Sequence, residues 1–128
     1  RRLGADEESM FVVQGNLANT YYKLGRLEQA LSMQQEGYAG QLKRYGEGNK
    51  HSLGAAYNVA ITLRDLKRFE DAKTLMLKTI PVARRVLGES HELTLRMRRS
   101  YAGALYKADG ATLDDLREAV ATLEDTER

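Results

Sequence analysis

The feature that most constrains this chain is an internal repeat with a period of 42 residues. Shifted by that period, Gly4, Gly46 and Gly88 fall in register. So do Asn16, Asn58 and Ser100, the small trio Ala18, Ala60 and Ala102, and the larger Tyr21, Leu63 and Leu105. Leu27 matches Phe69, and Ala30 matches Ala72. The third copy slips by two residues at Asp109-Gly110-Ala111-Thr112, after which Leu113 and Leu116 take the places of Leu27 and Ala30. Such an insertion in a turn costs little, because loop-closure entropy grows slowly with length. One unit of this size cannot bury an apolar face alone, so successive copies must stack.

Each copy reads as two helices, at about 8–24 and 27–45, 50–66 and 69–87, and 91–108 and 113–126. Ala56, Val59, Ala60, Leu63 and Leu66 recur at helical spacing, as do Leu93, Met97, Tyr101, Leu105 and Ala108. Short turns at Gly25-Arg26 and Lys67-Arg68 make each pair antiparallel. Gly4, Gly46 and Gly88 suit the left-handed position past a helix end, with Asp6 and Ser90 as caps for the helices that follow. Ala18, Ala60 and Ala102 are expected where a first helix crosses its partner, facing Ala30 and Ala72. The fold class is therefore all-α, a right-handed solenoid of six helices in one array, with repeats at about 4–45, 46–87 and 88–128.

Composition narrows the function. With no Cys among 128 residues, disulfides, thiolate metal sites and cysteine nucleophiles are all excluded, and a cytoplasmic setting is the expectation. No apolar run reaches the roughly 18–20 residues a membrane span needs. A net charge of +2 supplies little drive toward nucleic acid.

The string Leu17-Ala18-Asn19-Thr20-Tyr21-Tyr22-Lys23-Leu24-Gly25-Arg26-Leu27-Glu28-Gln29-Ala30 resembles the tetratricopeptide repeat. Asn58-Val59-Ala60 through Phe69-Glu70-Asp71-Ala72 repeats it, and the copy from Ser100 is a weaker match. The 42-residue unit ending Val86-Leu87-Gly88-Glu89-Ser90-His91-Glu92-Leu93-Thr94-Leu95 is similar to the kinesin light chain type. It departs from that type where Glu92 stands in the Pro slot and Asn49-Lys50 replaces His-Pro. HEAT and armadillo repeats share the period of about 40–47 residues but not the small-residue pairing.

No residue set carries catalytic chemistry. His51 and His91 stand 40 residues apart at helix starts, where a capping or exposed role suffices. Glu7-Glu8 and Asp114-Asp115 read as first-turn acids favoured by the helix dipole. Gly37-Tyr38-Ala39-Gly40 lies in a helical pattern without the strand or Lys of a phosphate loop, and Gly37 reads as a close-packing position. Pro81 falls inside the second helix of repeat 2, cannot bond the Leu77 carbonyl, and should bend that helix without a role in binding. The chain is read as a non-enzyme without a cofactor or metal.

What the resemblance implies is a concave groove lined by the first helices, binding a protein or peptide. The implied groove residues are Asn16, Asn19, Tyr22 and Lys23 in repeat 1, Tyr57, Asn58, Ile61 and Arg64 in repeat 2, and Arg96, Arg99, Tyr106 and Lys107 in repeat 3. Val12, Gly15, Asp65, Ser100 and Gly103 fall on the same stripes. Asn16 and Asn58 would hold a ligand backbone, since an amide both donates and accepts. The basic residues would favour an acidic peptide with an apolar or aromatic anchor seated against Tyr22, Tyr57, Ile61 and Tyr106, outside the core. Gly15 stands where the resemblance implies a basic residue, so a full clamp for a terminal carboxylate is missing. The alternative is an architectural segment with no ligand of its own. The length is three periods plus two, which reads as a window on a longer solenoid with apolar ends prone to end-to-end association.

Overall fold

The computed structural model describes residues 2–108 and 110–126, with side chains from residue 7 onward except Asp109. Six helices follow the repeat: α1 (Arg2–Lys23), α2 (Leu27–Tyr45), α3 (Lys50–Asp65), α4 (Phe69–Val86), α5 (Glu92–Lys107) and α6 (Leu113–Thr126). No strand occurs among the described residues. Each helix packs on its neighbours in sequence, and α3 also meets α5, one first helix against the next. This is an all-α solenoid of stacked helical hairpins.

The period is written into the backbone. In the first turn Arg26 N–H donates to the Tyr21 carbonyl at 2.9 Å and Gly25 N–H to that of Tyr22 at 3.0 Å. The second turn repeats both bonds 42 residues on, from Arg68 to Leu63 at 2.8 Å and from Lys67 to Arg64 at 2.9 Å. Gly25 has φ +81°, and Lys67 takes the same left-handed conformation at φ +65°, which an L side chain adopts only at a cost. The third turn, carrying the insertion, instead leaves α5 through an extended Ala108. Asp109 lies outside the described residues.

The junctions between repeats also match. Gly46 (φ +85°) and Gly88 (φ +101°) end α2 and α4. Asn49 and His91, again in register, then cap the next helices. The Asn49 side chain accepts from His51 N–H at 2.8 Å, and His91 Nδ1 accepts from Leu93 N–H at 3.1 Å. The cap of α5 is thus His91, not Ser90. At the third residue of each following helix, a buried hydroxyl reaches back across the junction. Ser52 donates to the Gln41 carbonyl at 3.2 Å and Thr94 to that of Ala83 at 3.4 Å.

The small residues behave as their spacing requires. Ala18, Ala30, Ala60, Ala72 and Ala102 are all buried, so the helix pairs approach closely and Leu53, Met76, Met97 and Leu105 fill the space around them. Leu116 departs from this. It is 42% exposed, and Ala119 is the small residue set against α5. Arg98, buried on α5, pairs with Asp125 and Tyr101 donates to Glu118 at 2.5 Å, which ties α6 down through polar contacts.

Three local readings are corrected. α1 runs through Gly4 and Asp6, so neither marks a helix boundary; the Asp6 side chain lies outside the described residues. Glu7 and Glu8 consequently sit beyond the first turn, where both pair with Arg44. Close packing belongs to Gly40, where a Cβ would stand 2.8 Å from the Phe11 ring, while at Gly37 it would meet only Gln14 Oε1 at 3.9 Å. α4 continues through Pro81, which faces solvent, as does Leu77, so water can satisfy the carbonyl that Pro81 leaves unbonded.

Candidate functional site

A cleft of about 950 Å³ opens among α1, α2, α3 and the start of α5. Its geometry follows from how the two first helices are joined. The Tyr22 hydroxyl donates to the Asp65 carboxylate, linking the C-terminal ends of α1 and α3. Gln14, Gly15, Asn16 and Asn19, in the C-terminal half of α1, form one wall, and His51, Gly54, Ala55 and Asn58 of α3 form the other. The antiparallel α2 supplies Met33, Gln34, Gly37, Tyr38 and Gln41. His91, Glu92, Leu93 and Arg96 of α5 complete the lining.

Six of the residues expected in the groove meet here: Asn16, Asn19, Tyr22, Asn58, Ile61 and Arg96. The other six line no part of it. Lys23 is exposed at the end of α1, and Arg99 is exposed on α5. Tyr57 packs against the core, contrary to its expected role as free ligand surface. Arg64 lies over Gly103, bonds Ser100 Oγ at 3.5 Å and pairs with Asp65 at 3.3 Å, which covers the middle of the stripe expected on α5. Ser100 and Gly103 are buried as a result. Tyr106 and Lys107 share the far end of α5, the ammonium 6.0 Å from the ring centroid.

The cleft carries one ion pair and one further cation. Arg96 pairs with Glu92 at 2.6 Å, so its charge is locally compensated. Lys50 is the other cation in the lining, and the remaining polar groups are amides, a hydroxyl of Thr62, phenols and imidazoles. Burial, and then the bond to Asp65, push the Tyr22 phenol up to about 12, so it remains a donor at neutral pH. The groups of this site can bind and orient hydrogen-bonding ligands. Among the described residues no cluster of three or more His, Asp or Glu is placed to hold a metal ion, and no helix is long and apolar enough to cross a membrane.

The tetratricopeptide repeat family model matches residues 13–49 and 52–92, more than half of the chain. The chain belongs to the tetratricopeptide repeat family. Both matched segments supply cleft walls, and tetratricopeptide repeats generally serve protein–protein interaction. The third helix pair lies almost wholly beyond the match, in keeping with its altered turn and the displaced small residue on α6. No curated protein and no solved structure matches this tetratricopeptide array.

Sequence reasoning placed the groove on first helices alone and so missed the contribution of α2. Gln34 and Gln41 are seven residues apart, two helical turns, and therefore share a face. That signal is present in the sequence, but polar residues at such spacing ordinarily mark a solvated surface.

Proposed function

We propose that this array is a protein–protein interaction scaffold, not an enzyme, and that it holds a peptide segment of its partner in the cleft between α1 and α3. The observation that carries the reading is the convergence of Asn16, Asn19 and Asn58 on one open cleft of about 950 Å³. Side-chain amides at these points can accept from and donate to an extended ligand backbone. Tyr22 and Ile61 provide apolar surface for an anchoring side chain. Arg99 and Lys107, beyond the cleft, favour acidic residues in the flanks of the segment. The 42-residue unit is the reason to assign the kinesin light chain-like type of repeat.

Fluorescence anisotropy with an array of short synthetic peptides tests this. Asn58→Ala is expected to weaken the retained peptides by about tenfold or more, and Arg99→Glu to weaken those with acidic flanks. Because Arg64 is already engaged by Asp65, Arg64→Glu tests folding more than binding. Absence of any retained peptide, or full affinity in Asn58→Ala, would refute the assignment.

A second reading, an architectural segment of a longer array, draws on apolar stripes at both ends. Leu113, Leu116 and Val120 are exposed on one face of α6, and Met10, Val13 and Leu17 on one face of α1. Mutual covering of these faces would join copies end to end, and sedimentation velocity across a concentration series reads that association directly. A strictly monomeric chain would exclude it.

A further inference from the structure

Three glycines stand inside helices around the same cleft: Gly15 on α1, Gly37 on α2 and Gly54 on α3. None has a positive φ. A Cβ at Gly15 or Gly54 would meet nothing within 4 Å, and at Gly37 only Gln14 Oε1 at 3.9 Å. Glycine within a helix lowers stability relative to alanine through backbone entropy. Neither dihedral angle nor internal packing calls for it at these three positions. Gly40, one turn from Gly37, differs because Phe11 lies against it and it does not line the cleft. What the three glycines have in common is the space they leave for something else to approach the helix backbones.

Two further groups point the same way. Gln34 Oε1 and Gln41 Oε1 are shut off from solvent without a hydrogen-bond partner among the described residues, and both side chains belong to the cleft lining. A buried carbonyl oxygen without a donor is unfavourable. The terminal torsion of glutamine is soft, so a small rotation can turn each oxygen into the cleft. The two residues are separated by about 10 Å along the axis of α2, a length that roughly four extended residues span.

We infer that the cleft takes an extended polypeptide segment of small side chains, laid across Gly15, Gly37 and Gly54, with its backbone N–H groups donating to Gln34 and Gln41. This rests on the interaction reading above and adds the chemistry of the occupant. An extended segment fits better than a helix, because a helix uses its N–H groups internally beyond its first turn.

The test uses the whole 128-residue chain and two sets of short synthetic peptides with identical flanks, acidic on one side and tyrosine on the other. The central residues are Gly, Ala and Ser in one set and Leu, Phe and Met in the other. The small-residue set is expected to bind the wild-type chain more tightly. The combined Gly15→Ala, Gly37→Ala and Gly54→Ala variant should show a raised thermal midpoint yet bind that set about tenfold more weakly or worse. Backbone N-methylation of a bound peptide should weaken binding to the wild type and have little further effect in Gln34→Met/Gln41→Met. If the bulky set binds as well and the triple variant keeps full affinity, the inference fails while the interaction reading stands. A lowered thermal midpoint in the triple variant, indifference of the wild type to N-methylation, or binding with a gain of helical circular dichroism also overturns it. If neither set nor any other peptide binds the wild type, both readings fall.

Discussion

The Tyr22 hydroxyl of α1 donates to the Asp65 carboxylate of α3, 43 residues away and one repeat on. Both residues lie in the last turn of their helices, so the bond ties together two parallel first helices at one end. Arg64 pairs with the same carboxylate from the other side and extends the connection to Ser100 on α5. Three successive first helices are therefore joined by one polar chain, with the cleft on the open side of the Tyr22 link.

That link has an alkaline signature. With its folded value raised from 10.0 to about 12, Tyr22 contributes stability that is present below pH 10 and lost as pH rises from there through about 12. The phenol of Tyr101 is raised too, by burial and then by Glu118, so both decline in the alkaline range. In Tyr22→Phe the urea midpoint is expected to fall less steeply between pH 10 and 12 than in the wild type. Parallel profiles would show that Tyr22 ionises as freely folded as unfolded.

Lys67 holds the left-handed turn position that Gly25 holds one repeat earlier. Glycine removes the clash between Cβ and the following carbonyl, so Lys67→Gly is expected to stabilise by about 1 kcal/mol. Gly25→Ala should destabilise by a similar amount. Chemical denaturation of the two variants reads both signs, and a destabilised Lys67→Gly would contradict the repeat-wise equivalence of the turns.

The hydroxyls at the repeat junctions are buried and bonded. Thr94→Val keeps the shape of the side chain and removes the cross-junction donor to the Ala83 carbonyl, which keeps its bond from Leu87 N–H, for an expected loss of about 1 kcal/mol. Ser52→Ala should act alike at the preceding junction. Hydrogen exchange at the start of α5 and α3 would localise the effect, and unchanged exchange would show that the junctions hold without these bonds.

α6 begins with a reciprocal cap. Thr112 N–H donates to Asp115 at 3.0 Å and Asp115 N–H to Thr112 Oγ1 at 3.1 Å. Thr112→Ala is expected to cost about 1 kcal/mol. The backbone donor of Thr112 holds the Asp115 carboxyl below its ordinary value of 3.8. Its contribution is therefore present above that value and lost as pH falls through the lower folded one. Acid titration of helix content should show α6 releasing at a higher pH in Asp115→Asn, where the ionised acceptor is gone.

The local structure was legible in the repeat itself. Gly25 with Lys67 and Gly46 with Gly88 specify turns and helix ends through bonds spanning at most five residues, and such bonds depend on neighbouring sequence alone. Apolar spacing likewise assigned Ala18, Ala60 and Ala102 to helix crossings, because periodicity sets the angle of each residue about its helix. Which of those angles stays open is a different matter, decided by what other helices lay over it. Ser100 and Gly103 carry groove spacing yet lie under Arg64, and Tyr57 is drawn against the core. Gln34 and Gln41 carry the spacing of a solvated face yet lose their solvent to the hairpin around them. Sequence by itself determined the solenoid, because its bonds are local and its period is regular. Only the tertiary structure decided where the solenoid opens, because a cleft is the space that several helices together leave unfilled.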